Sequence, residues 1–235
     1  MAEQRSITSK SNRARPKAHL ASASAVRSKA PRLRKAEGYH HGNLRESLIE
    51  CGLYLLDTKG REAMSLRSAA RMAGVSQTAP KNHFSDKEGL LAAIAARGFR
   101  MLTEHRVEDP GSRTKTPQAR LRGMILAYVS FAVARPALFD LMFGPVIKDK
   151  RKYPELDAAA ERAYDSLRGV VADFLLQGGA TGTSIEKLSL SVWSAMHGLA
   201  TLLTNNPRVR RFAGNKDDRQ LSEDLADFIV KALLN

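Results

Sequence analysis

Apolar residues recur with a helical period through almost the whole chain after residue 40, and no alternating strand pattern stands out. Leu44, Leu48, Cys51 and Leu55 fall at i, i+4, i+7 and i+11, a single stripe that Gly52 and Leu56 widen and Lys59-Gly60 ends. Ser65 is placed to cap a short helix through Ala73, stopped by Gly74; Ser76 is placed to cap another to about Phe84. Ser85 or Asp86 then opens a fourth, carrying Leu90, Leu91, Ile94 and Ala95 toward Met101. Glu108 to Pro117 is rich in turn formers and reads as a loop. Beyond it the pattern predicts helices over Leu121–Ala134, from Pro136 through Phe143, and from Pro154 to a break at Gly178-Gly179. Thr183 and Glu186, at capping-box spacing, precede another to about Leu203, broken by Asn206-Pro207. A last helix carries Leu221, Leu225, Phe228, Ile229 and Ala232. The expected fold class is all-α: an N-terminal three-helix helix-turn-helix domain and a C-terminal helical bundle.

Charge adds a third region. The chain of 235 residues carries a net +14, and residues 1–40 hold ten Lys and Arg against Glu3 and Glu37. This segment lacks an apolar run and contains Pro16 and Pro31, so residues 1–38 are expected to be a disordered basic arm suited to a polyanion. Its acid-poor, Arg- and Ser-rich composition also fits a transit peptide. No stretch of about 18 apolar residues offers a membrane span. Cys51 is the only cysteine, which excludes an internal disulfide and a cysteine metal site. A cytoplasmic protein without a metal or cofactor is expected.

The informative segment is SLRSAARMAGVSQTAPKNHF, residues 65–84. Two short helices crossing steeply need a tight turn and small residues at their contact. Gly74 can supply the left-handed conformation, Ala69, Ala70 and Ala73 permit close approach, and Val75 plugs the corner. A second helix over Gln77–His83 would be roughly 10 Å long, suiting a major groove about 12 Å wide. On an α-helical wheel Gln77, Thr78, Lys81 and Asn82 share a polar arc, while Ala79, Pro80, His83 and Phe84 face inward. The amides can pair bidentately with adenine, and Lys81 can reach guanine or phosphate. An ordinary helical hairpin with a solvated polar face has the same pattern.

Residues 39–95, with HGNLRESL opening the first helix, the SLRSAARMAGVS turn and the NHFSDKEGLL exit, resemble the N-terminal domain of the TetR family of regulators. The resemblance implies a homodimer that reads a palindromic double-stranded DNA operator, usually as a repressor released by a small ligand. It also implies DNA contacts for Arg67, Gln77, Thr78, Asn82, His83 and Lys87. Lys81 stands where the family usually has Tyr, and could replace that phosphate contact by charge. The domains expected are therefore 39–100, helix-turn-helix and connecting helix, and 110–235, ligand sensing and dimerisation.

The segment VWSAMHGLATLL, residues 192–203, resembles a C-terminal domain of one TetR branch marked by Trp, His and Gly, here Trp193, His197 and Gly198; PALFDLMFGP, residues 136–145, fits the same branch. Lys187–Leu203 is apolar nearly all round, so it and the last helix are expected to form the homodimer interface, or else to pack within one monomer. Tyr128, Phe131, Phe139, Met142, Phe143, Phe174, Trp193 and Met196 could line an apolar effector pocket, with His197 or Asp140 supplying polarity, although such a stripe also reads as plain core. No Gly-rich phosphate loop, HExxH, nucleophile elbow or paired-carboxylate cluster is present, so no enzyme is expected. A sequence-indifferent nucleic-acid binder working through the basic arm is the alternative to a regulator.

Overall fold

A computed structural model describes residues 44–107, 116–177 and 182–234. The expected basic arm, the motif opening at 39–43, the loop over 108–115 and the Gly178-Gly179 break lie outside them. Among the described residues there is no strand, and the order is α1 (Leu44–Lys59), α2 (Leu66–Ala73), α3 (Lys87–Val107), α4 (Pro117–Ala134), α5 (Pro136–Phe143), α6 (Pro154–Leu176), α7 (Ile185–Asn205), α8 (Val209–Phe212) and α9 (Asp218–Ala232). The all-α expectation holds.

Local chemistry explains most boundaries. The Ser65 hydroxyl accepts from Ser68 N at 3.0 Å, and the Ser68 hydroxyl accepts from Ser65 N at 2.9 Å, a reciprocal cap on α2. At its other end Gly74 adopts φ +71°, and Val75 N returns to Ala70 O at 3.0 Å. Asp86 caps α3 through Gly89 N at 2.8 Å. The cap of α7 is Ser184, which accepts from Lys187 N, and not Thr183: the helix starts one residue later than the Thr183–Glu186 spacing indicated. The short α8 was not expected, because its four residues are too few for a period to register.

The motif's second element also departs from expectation. The second helix of the motif is a 3-10 turn over Ala79–Asn82, not an α-helix over Gln77–His83. Pro80 has no N–H to give to Ser76 O, and its ring disfavours an α-helical carbonyl four residues back. The neighbouring amides close tighter rings instead: Ala79 N to Ser76 O at 3.2 Å, Lys81 N to Thr78 O at 3.1 Å and His83 N to Pro80 O at 3.0 Å.

The buried residues form one continuous core. α3 is its spine, packing against α1 on one side and against α5 and α6 on the other. At the α1 crossing, a Cβ on Gly52 would stand 2.6 Å from Ile94 Cδ1, so any larger residue there displaces the buried Ile94 side chain. α4 contacts α6, α7 and α9, and turns through 108° into α5 at Arg135.

Candidate DNA-binding face and ligand cavity

The helix-turn-helix unit sorts its side chains by solvent access. Pro80 and Phe84 are buried within the N-terminal unit of α1 to α3, the head, whereas Gln77, Thr78, Lys81 and Asn82 are exposed. Arg67 and Lys87, at the flanks, are exposed too. His83 is exposed, not inward-facing as the wheel indicated: the 3-10 turn ends at Asn82, so helical phase no longer governs the next residue. All seven expected DNA-contact residues therefore stand in solvent. The arrangement presents two amides, a hydroxyl and four cationic or imidazole groups, a donor-rich set suited to base edges and phosphates. Arg71 is exposed too, one helical turn after Arg67, a spacing legible in the sequence.

A cavity of about 240 Å³ lies in the C-terminal half, lined by residues including Phe99, Tyr128, Phe143, Lys150, Tyr164, Trp193 and Met196. The rings interlock: Phe99 and Phe143 centroids are 5.2 Å apart, Tyr164 and Trp193 5.7 Å, both edge-on. Of the expected ligand residues, Tyr128, Phe143, Trp193 and Met196 line this cavity. Phe139, Met142 and Phe174 are buried in the core, and Phe131 faces a separate groove between α4 and the start of α9. His197 stands behind Tyr128, whose hydroxyl is 2.8 Å from its Nδ1. Asp140 is exposed, 3.7 Å from Arg61, and supplies no polarity to the cavity.

Trp193 Nε1 donates to the Tyr128 oxygen at 3.4 Å, and that oxygen shares a hydrogen bond of 2.8 Å with His197 Nδ1. Burial lowers the pKa of His197 from the ordinary range, which favours the neutral ring. Lys150 differs. Its Nζ donates to Met142 O at 2.6 Å, burial lowers its pKa, and no carboxylate pairs with it among the described residues. Nothing in the sequence singled it out, since it sits in the run KDKRK, which reads as a solvated charge cluster.

The cavity and the head are tied by a short segment. Lys150 lies in a 3-10 turn, Lys150–Lys152, that leads directly into Tyr153, Pro154 and Glu155. Tyr153 donates to Glu88 at 3.0 Å, at the start of α3, and Glu155 pairs with Arg45 of α1 and with Arg100 of α3, the latter at 2.8 Å. The Arg45 guanidinium in turn lies 5.6 Å from the ring centroid of Phe84, two residues past the 3-10 turn. A second tie runs from Asp57, near the end of α1, to the buried Arg135 at the α4–α5 corner.

Comparison with known proteins gives concordant matches. A family model described as "Tetracyclin repressor-like, C-terminal domain" matches residues 121–229. The HTH-type transcriptional regulator BetI of Paraburkholderia phymatum is 26% identical over 168 residues, 60% of this chain and 84% of the relative. A solved structure from Rhodococcus sp., described as a protein with unknown function, superposes with a TM-score of 0.70 at 28% identity, covering 85% of this chain and 100% of that one. The TetR-family regulator PfmR of Thermus thermophilus shares the fold, with a TM-score of 0.58 at 19% identity over 78% of this chain and 97% of its own.

Proposed function

Taking as premise that the chain belongs to the TetR family of transcriptional regulators, we propose that it is a repressor that binds a palindromic operator as a homodimer and is released by a small apolar effector. The observation that carries the reading is the partition within one turn: Gln77, Thr78, Lys81 and Asn82 outward, Pro80 and Phe84 inward. Gln77, Thr78 and Asn82 then read base edges, while Arg67, Lys81, His83 and Lys87 hold phosphates or bases from the flanks.

Dimerisation is assigned to α7 and α9, which pack on each other. On the outer arc of α7, Leu190 and Leu202 are 54% and 47% exposed, and Ser194 and Gly198 lie between them; on α9, Phe228 is 71% exposed. A Cβ on Gly198 would meet nothing within 4 Å, so no contact inside the chain requires glycine there. A mid-helix glycine costs about 1 kcal/mol relative to alanine, which a closely approaching second helix would offset. The cavity supplies the effector site, and the Lys150–Glu155 segment supplies its connection to the head.

Footprinting on the promoter beside the protein's own gene tests the reading. Two protected half-sites about 34 Å apart or somewhat more are expected. Gln77→Ala and Asn82→Ala should each lose about 1–3 kcal/mol of preference for operator over random duplex. Leu190→Glu with Phe228→Glu should yield a monomer in sedimentation and abolish the paired footprint. A single protected half-site at saturation, or equal affinity of the Gln77 and Asn82 variants for both duplexes, would refute the proposal.

A further inference from the structure

The cavity's chemistry is asymmetric. Its wall is aromatic and aliphatic, it includes the Tyr128 hydroxyl, which is engaged with His197 and Trp193, and its one cationic lining residue is Lys150. Lys150 is half-buried, donates to a single backbone carbonyl and has no anionic partner among the described residues. An ammonium in such a place is short of acceptors, since it carries three donors and a charge. We propose that the effector cavity recognises a compact apolar carboxylate, one ring or its aliphatic equivalent bearing an acid on a short chain, with the carboxylate taken by Lys150. The inference rests on the effector reading above and names the ligand class for the same cavity.

Size fixes the body of the ligand. The cavity holds about 240 Å³. This exceeds the roughly 150 Å³ that accommodates benzene and falls below the roughly 300 Å³ at which pockets for larger ligands begin. One ring and two or three further carbons match this volume. Charge fixes the head group. A carboxylate at Lys150 gains a charge-assisted hydrogen bond in apolar surroundings, whereas the matching amide or alcohol leaves the ammonium uncompensated. A cationic ligand would meet Lys150 as a like charge.

The chain has one tryptophan, Trp193, and it lines the cavity, so its fluorescence reports occupancy directly. The full-length protein is titrated with 3-phenylpropanoate and with its neutral amide at pH 7.5. The acid is expected to bind roughly tenfold to a hundredfold more tightly than the amide. Lys150→Met should abolish that preference, and Lys150→Arg should retain it, with thermal unfolding confirming that both variants fold. Equal or tighter binding of the amide, an acid preference that survives in Lys150→Met, or no Trp193 response to either probe at 10 mM-scale excess (about 10⁴-fold over a micromolar site) overturns the proposal. Operator release is read separately in the same titration. Lys150-dependent acid binding without loss of operator affinity leaves the ligand assignment standing and overturns the effector reading instead.

Discussion

The tie between Asp57 and Arg135 is open to a quantitative test. Arg135 is at once the last cap of α4 and the first of α5, its side chain is 4% exposed, and its guanidinium donates to Asp57 and to Met101 Sδ at 3.2 Å. Asp57→Ala removes the only carboxylate paired with Arg135 among the described ion pairs, leaving a buried charge facing a weak sulfur acceptor. Breaking a fully buried pair from one side costs about 3–5 kcal/mol. The Asp57 side chain is 23% exposed, so water can enter the space it leaves, and about 2–3 kcal/mol is the expectation here. For a chain of this size that lowers Tm by about 4–12 °C. Urea and thermal unfolding of the wild type, Asp57→Ala and the double variant Asp57→Ala/Arg135→Met measure it. The double variant removes both charges and should recover to within about 1 kcal/mol of the wild type. A loss below about 0.5 kcal/mol in Asp57→Ala, within the range of ordinary surface changes, would show that Arg135 is hydrated and the argument wrong.

Other substitutions probe the remaining features. Gly74→Ala places a Cβ in open space but on a left-handed backbone, so about 1–2 kcal/mol of stability should be lost; an unchanged urea midpoint contradicts it. His197 is held neutral by burial, its pKa lowered in the folded state, so its contribution to stability is present above the unfolded value of about 6.5 and declines as pH falls below it. His197→Gln should flatten the fall in urea midpoint between pH 7.5 and 5.5; parallel profiles for the two proteins would exclude this assignment. Lys81→Ala should reduce the slope of log affinity against log salt by about 0.9 if Lys81 holds a phosphate; an unchanged slope with altered base preference would make it a base reader instead.

The head was legible because its chemistry is local. Ser65, Gly74 and Asp86 act on neighbours a few residues away, and the structure finds each in its expected role. The failure within it is equally local: Pro80 removes one hydrogen bond, and in so short a segment that changes the helix type. The cavity was only half legible. Tyr128, Phe143, Trp193 and Met196 announce themselves as large apolar residues, yet Phe139 and Phe174 carry the same signal and are core. Which of them borders empty space depends on how α4, α5, α6 and α7 cross, a property of the assembled layers and not of any helix's own pattern. Lys150 shows the limit from the other side: its neighbours Lys148, Arg151 and Lys152 disguise it, and its special position comes from contact with Met142, eight residues away and across a turn.

That α3 buries residues toward both ends of the molecule bears on modularity. A recombinant in which this DNA reader is grafted onto the sensor of a relative cannot be spliced simply at a linker. Ile94 must still meet Gly52 of α1, while Gly98, where a Cβ would stand 2.7 Å from Met142 Sδ, must still admit α5. Under the proposed function, operator choice and signal choice share a single helix, and exchanging one without the other requires keeping the N-terminal turns of that helix from one parent and the C-terminal turns from the second.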